Sequence, residues 1–165
     1  MRKVLYIDFE GSQSKGIREI GYLITEDEKI TYSQEETGDK AIGVLQNIRL
    51  SSFSYIAAHN SYIEKNLIKN YFPYQVDKAT KTVIKNKWLD TLEIYRKLYP
   101  NLKKYDLKSL IKTFISDTAL KKEVDERCSN HKRNYHNSLF DAICVYHLVK
   151  RLEKTINLGH FLKYH

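Results

Sequence analysis

Asp8 and Glu10 close a short apolar run, Val4-Leu5-Tyr6-Ile7-Asp8-Phe9-Glu10-Gly11. On a β-strand, residues i and i+2 project from the same side, so the two carboxylates emerge together. Side by side they repel, and removal from water costs both. A pair of hard divalent cations such as Mg²⁺ or Mn²⁺ relieves both penalties, because such ions prefer carboxylate oxygens. The bland alternative is two solvated acids at a strand end. Near the other terminus, His136-Asn137-Ser138-Leu139-Phe140-Asp141 offers Asn137 as a helix N-cap, with Asp141 in the first turn and His136 just ahead of it. Here the alternatives are an acid favoured by the helix dipole and an exposed loop histidine beside His131, Lys132 and Arg133. Midway, Ala57-Ala58-His59-Asn60-Ser61-Tyr62-Ile63-Glu64 reads as a buried strand turning into a helix. Ser61 and Glu64 have capping-box spacing, and Asp90 with Glu93 repeats that spacing, which makes Asp90 an N-cap.

The elements that must position these residues follow from periodicity. Lys3–Asp8 is a nearly continuous apolar run, as expected of a central strand covered on both faces. Ile17–Thr25 and Lys29–Ser33 read as an antiparallel hairpin around Glu26–Glu28. Gly38–Asn47 is expected to be a helix, Tyr55–Ala58 a short buried strand, Asn60–Tyr71 a helix ending before Pro73, and Lys87–Leu89 one more strand. The remainder is expected to be helical over Thr91–Tyr99, Asp106–Ile115, Thr118–Arg127 and Asn137–Lys154. The last helix carries Leu139, Ile143, Tyr146, Leu148, Val149 and Leu152 on a buried face. Strands first and helices packed on them afterwards indicate an α/β layered domain.

Composition bounds the partners. A chain of 165 residues with 42% hydrophobic and 29% charged residues suits one globular domain with a real core. Its net charge of +8 biases it toward polyanions, nucleic acid being the commonest, although a lysine-rich surface also serves solubility. No apolar run approaches bilayer length. The Val4–Ile7 run after Met1-Arg2-Lys3 fails as a signal peptide because Asp8 and Glu10 interrupt it, so a cytoplasmic protein is expected. Cys128 and Cys144 are expected to be buried reduced thiols, and Cys128 with His131 lacks the second pair that a zinc site needs.

In combination, D-x-E, HN-x-x-x-E and H-x-x-x-x-D in this order resemble the DEDDh branch of the DnaQ-like exonucleases. That superfamily of polymerase proofreading subunits, RNase T and oligoribonuclease is built on an RNase H-like fold. The resemblance runs from Lys3 to Leu152 and includes Glu19-Ile20-Gly21, Leu89-Asp90-Thr91 and Tyr105-Asp106-Leu107-Lys108-Ser109-Leu110. It departs at Glu64, where the family usually has Asp. The segment Trp88–Pro100 is similar to that of a bacterial subgroup with Glu at this place.

The resemblance implies an RNase H-like mixed sheet flanked by helices. It also implies a metal-dependent 3′→5′ exonuclease acting on single-stranded DNA, or RNA, by two-metal phosphodiester hydrolysis. Asp8 would bridge two Mg²⁺ or Mn²⁺ ions, Glu10 and Asp141 would complete the nucleophile-side ion, and Glu64 would hold the second ion or its outer shell. His136 suits the general base, because an imidazole titrates close to neutrality. Gly11, Ser12, His59, Asn60 and Ile63 would receive the terminal nucleotide. Lys103, Lys104, Lys108, Lys132 and Arg133 are candidates for steering the backbone. Two other readings are an end-trimming subunit of a larger machine, such as a polymerase or a CRISPR spacer-integration complex, and a binding module without catalysis. The aromatic stretch from Tyr71 to Tyr74 suits a contact surface or core packing, and the tail Leu158–His165 either docks or hangs loose.

Overall fold

The structure is a computed structural model describing residues 2–72, 81 and 83–165. Six strands, β1 (Lys3–Ser12), β2 (Gly16–Glu26), β3 (Lys29–Thr37), β4 (Tyr55–Ala58), β5 (Lys87–Asp90) and β6 (Lys163–Tyr164), form one sheet in the order β3-β2-β1-β4-β5-β6. The first three make an antiparallel meander, β4 and β5 run parallel to β1, and β6 is an antiparallel edge. The helices are α1 (Asp39–Asn47), α2 (Tyr62–Tyr71), α3 (Thr91–Leu98), α4 (Leu107–Phe114), α5 (Asp117–Arg127) and α6 (Ser138–Glu153). This is the expected α/β mixed sheet flanked by helices.

Each face of the sheet carries its own core. Leu5, Ile7 and Phe9 of β1 join α1 and α2 through Ala41, Leu45, Leu67 and Ile68. Val4 and Tyr6 face the opposite layer, with Ile94, Leu110, Val124 and the apolar residues of α6. Two-sided burial is why the strand reads as a continuous apolar run. By the same alternation, Asp8 and Glu10 continue the parity of Val4 and Tyr6, toward α6. Cross-strand register extends this row: Asp8 pairs with Gly21, Glu10 with Glu19, and Gly21 with Glu35. Directly opposed residues of antiparallel strands share a face, so Glu19, Gly21 and Glu35 also look toward α6.

α6 is not the one-faced helix that its spacing predicts. Every residue from Ser138 to Tyr146 is buried, because the helix lies across β1 and β2 with α4 and α5 packed beside it. Its start rests on Gly21, where an added Cβ would lie 2.0 Å from the Leu139 nitrogen and 2.1 Å from the Ser138 carbonyl carbon.

The other departures are local. β1 runs past Asp8 to Ser12 and β3 past Ser33 to Thr37. The hairpin turns on Asp27 and Glu28, both at positive φ, the geometry of a two-residue primed turn. α2 begins at Tyr62, because Asn60 sits at φ 63 and is not helical. The tail docks: Leu158–Phe161 is a short helical turn, and β6 pairs Lys163 and Tyr164 with Trp88 and Lys87. Tyr71 and Phe72 pack against the core around Leu67, while Pro73 and Tyr74 lie outside the described residues. Cys128 and Cys144 are free and buried. Among the described residues no helix is long and apolar enough to cross a membrane.

The contact at Gly21 generates a stability prediction. Gly21→Ala forces backbone against backbone and is expected to cost about 3 kcal/mol or more, measured by urea unfolding. A loss within about 0.5 kcal/mol, the range of an ordinary surface substitution, would mean that α6 is not seated on β2 as described.

Candidate active site

Because β1, β4 and β5 are parallel, their carboxyl ends lie along one edge of the sheet, where open α/β sheets carry their sites. The end of β1 supplies Asp8 and Glu10, the turn after β4 leads to Glu64 on α2, and the start of α6 brings His136 and Asp141. One ligand atom from each of Glu10, His136 and Asp141 lies within 4.8 Å of the other two. Asp141 is 7% exposed; its Oδ2 accepts the His136 backbone N–H at 3.0 Å, and its Oδ1 is buried without a partner. Glu64 is 3% exposed, and its Oε2 is likewise buried and unpartnered. His136 is exposed, at φ 68.

The electrostatics are those of a like-charge cluster out of water. Burial raises the Asp8 carboxyl well above its ordinary range, and the charges of Glu64, Asp141, Glu10 and Glu19 raise it further, in that order. Burial lifts Glu64 to about 8 and Asp141 to about 7, with Glu10 adding to the latter. Burial also raises Glu10, against the opposing pull of His136 and Arg18. Arg18, 3.4 Å from Glu10 and largely exposed, and Lys65, which opposes the rise of Glu64, offset this charge only in part. Oxygen donors, two of them orphaned, around a shared negative potential fit divalent cations.

Local capping does not explain these acids. The Ser61–Glu64 capping box does not form, since Ser61 makes no side-chain cap. Its hydroxyl instead donates to Asp90 Oδ2 at 3.0 Å. Asp90 is the N-cap of α3, as its spacing predicts, and also accepts the backbone N–H groups of Asn60 and Ser61. It thereby pins the turn that aims Glu64. Asn137 stands at the N-cap position of α6 but provides no cap, its side chain donating to Asn134. Glu19 takes over, its Oε1 accepting from the Ser138 nitrogen and hydroxyl, both at 2.8 Å.

The expected substrate contacts divide. Ser12 and Ile63 are exposed. His59 is half-buried, its Nδ1 2.9 Å from the Thr91 hydroxyl, and burial lowers its pKa. Gly11 has a structural reason of its own: a Cβ there would meet the Gly16 carbonyl oxygen at 2.3 Å, beside the irregularity that follows Glu10. Lys132 and Arg133, expected to steer a backbone, are engaged internally. Lys132 contacts Glu19 and Glu35, and Arg133 contacts Asp125 and the Cys128 carbonyl. Sequence reasoning missed Tyr62, 72% exposed in the first turn of α2 beside Glu64. The signal available was an aromatic at the outward position of an otherwise amphipathic turn.

At the level of sequence, no protein-family model matches the chain, and no curated protein does. Its fold is similar to that of exonuclease X, in a structure with 5′-overhanging duplex DNA, at TM-score 0.61 and 16% identity, covering 98% of this chain and 97% of that one. It is also similar to E. coli exonuclease I in complex with a dT13 oligonucleotide, at TM-score 0.57 and 15% identity, covering 94% of this chain and 41% of that one. The fold is therefore a mixed sheet flanked by helices of the RNase H-like kind.

The raised carboxyl groups predict a pH dependence. An acid whose pKa is higher folded than unfolded adds stability at low pH, and that contribution is lost as pH rises through the folded value. In EDTA, the melting temperature should fall by roughly 5 °C or more between pH 6.5 and 8.5, as Asp141 and Glu64, at about 7 and 8, lose their protons. Asp141→Asn should flatten that slope, and Mn²⁺ should raise the melting temperature more at pH 8.5 than at 6.5. A wild-type curve that is flat or rising across this window would contradict the buried like-charge cluster.

Proposed function

We propose that this protein is a divalent-metal-dependent 3′→5′ exonuclease that removes nucleotides from the 3′ ends of single-stranded DNA, with RNA as a second substrate class. The observation that carries the reading is the grouping of Glu10, His136 and Asp141 at the end of β1 and the start of α6, with the carboxyl of Asp8 raised by Glu64 and Asp141 beside it and orphaned buried oxygens on Asp141 and Glu64. The D-x-E, E and H-x-x-x-x-D pattern of the DEDDh exonucleases supports it, with Glu64 standing where that pattern has Asp. The fold shared with two exonucleases, each in complex with DNA, supports it further.

Asp8, Glu10, Asp141 and Glu64 would hold two Mg²⁺ or Mn²⁺ ions, which when bound lower the pKa of an attacking water and neutralise charge on the phosphodiester and its leaving 3′-oxygen. The remaining work falls to the chain. An imidazole nitrogen of His136 accepts the proton of the attacking water; the ring is exposed, and its backbone is tied to the Asp141 carboxylate. Tyr62 and Ile63 offer the terminal base an exposed apolar platform next to Glu64. Gly11, Ser12, His59 and Asn60 border the terminal nucleotide, and the exposed Lys103, Lys104 and Lys108 draw in the strand behind it.

The deciding experiment incubates the protein with 5′-labelled single-stranded DNA or RNA, with Mg²⁺, Mn²⁺ or EDTA. A ladder shortening from the 3′ end is expected, abolished by EDTA and by Asp8→Ala, and slowed ~10²–10⁴-fold by His136→Ala. Substrate left intact by well-folded protein with either metal would sink the reading. In the same assay, Tyr62→Ala should raise KM roughly tenfold with kcat nearly unchanged, as expected for a lost stacking contact. An unchanged KM would remove Tyr62 from the substrate path.

A further inference from the structure

The start of α6 is held in an unusual way. The first amides of a helix have no partner within it and ordinarily look to a side chain at the N-cap. Here Asn137 gives none. The partners come from two other strands: Glu19 Oε1 of β2 takes the Ser138 nitrogen and hydroxyl, and Glu35 Oε1 of β3 takes the Leu139 nitrogen at 3.3 Å. The second oxygen of each carboxylate turns to one ammonium group, with Lys132 Nζ 2.7 Å from Glu19 Oε2 and 2.9 Å from Glu35 Oε2. The side chains of Lys132, Glu19 and Glu35 are 20%, 10% and 13% exposed, so the triad is largely withdrawn from water.

We propose that Lys132 is a positioning residue for the catalytic segment: it holds Glu19 and Glu35 on the first turn of α6, and so fixes His136 and Asp141 opposite Asp8 and Glu10. The connection is continuous. Lys132 holds the two glutamates, these hold Ser138 and Leu139, and Asp141 closes the same turn by accepting from His136 and donating to the Asn137 carbonyl at 3.0 Å. Lys132 also offsets the charge of Glu19, which already bears on the neighbouring carboxylates. Glu19 sits across from Glu10 on β2, and without its ammonium partner its Oε2 is left uncompensated while Oε1 stays on Ser138. Partners of metal ligands commonly alter metal affinity or activity ~10–100-fold when removed. The inference rests on the exonuclease reading for its activity arm alone.

The test compares Lys132→Met, Lys132→Arg and Lys112→Met, the last an exposed lysine on α4 that matches the loss of charge. Three readouts are taken: hydrogen exchange in EDTA, Mn²⁺ affinity by electron paramagnetic resonance, and kcat and KM on a short single-stranded oligonucleotide. Lys132→Met should speed exchange of the 136–141 amides ~10-fold over the rest of the chain. It should also weaken Mn²⁺ binding and lower kcat by ~10-fold or more, with KM within about threefold. Lys132→Arg should restore most of each, and Lys112→Met should change none.

Faster exchange spread evenly over the molecule, with kcat falling only as the folded fraction falls, would reduce Lys132 to a stability contact and overturn the proposal. A raised KM with unchanged kcat would overturn it in favour of direct contact with the nucleic acid. If Lys132→Met does not fold, Glu35→Gln, which weakens one half of the clasp, should show the same order of effects at smaller size, and no local change there would overturn the proposal. If the wild-type protein degrades no substrate, the exonuclease reading falls, while exchange and Mn²⁺ affinity still decide the role of Lys132.

Discussion

The absence of a side chain at Gly21 is the constraint from which the rest of the site follows. Because nothing stands between β2 and the backbone of Ser138 and Leu139, α6 begins in contact with the sheet and not a side chain's width above it. That proximity brings Asp141 over the end of β1. It also removes the first amides of α6 from water, where they need acceptors. The sheet supplies these from the residues nearest Gly21: Glu19, two positions away on the same face of β2, and Glu35, directly opposite on β3. A single small residue thus dictates both the approach of α6 and the acids that must receive it.

Such close approach concentrates negative charge. Asp8, Glu10, Glu19 and Glu35 share a face of the sheet, and Asp141 descends onto it. The protein divides this charge into two groups. Glu19 and Glu35 are neutralised internally by Lys132 and by the amides of a helix N-terminus. Asp8, Glu64 and Asp141 receive far less, and their carboxyl groups are pushed upward first by burial and then by neighbouring carboxylates, Asp8 by Glu64 and Asp141 among them. A cluster of this kind favours protons or multivalent cations, and the folded chain is less stable for carrying it. Function of this sort draws on stability contributed elsewhere, here by the two cores that clamp β1 and by the nearly complete burial of α6.

Much of this was legible in the chain itself. The parity of Val4, Tyr6, Asp8 and Glu10 follows from the two-residue period of a strand, and the strand Tyr55–Ala58 was bounded correctly by its apolar run. The position of Asp141 in the first turn of α6 followed from the spacing of the last motif. What escaped was everything decided by tertiary partners. Asn137 and Ser61 have the right residue types for local caps, yet neither caps: the first amides of α6 go to Glu19 and Glu35, and the Ser61 hydroxyl is itself spent on Asp90. The pairing of Glu19 with Lys132 spans β2 and the loop before α6. No local rule joins them, and Lys132 read on its own was a lysine in a basic stretch. Register across three strands, which brings Glu35 beside Gly21, has no signature in a single segment.

Asp90 and Glu64 show how such cases can be separated. In sequence both occupy capping-box patterns at the start of a helix after a short buried strand. In the structure, Asp90 Oδ1 accepts from Asn60, Leu92 and Glu93, and Oδ2 accepts from the Ser61 nitrogen and hydroxyl. An acid so occupied has little left for a cation, and its work is to tie the end of β5 to the turn after β4. That turn, with Asn60 in a left-handed conformation, starts α2 at Tyr62 and directs Glu64 inward, where Oε2 meets no donor. The two acids are therefore complementary. One satisfies its hydrogen-bonding capacity to set the backbone, and the other is aimed by that backbone toward the charged end of β1 with one oxygen unpartnered. Glu64 approaches the cluster from a helix and not from a strand end, and the additional methylene of Glu over Asp lengthens that reach.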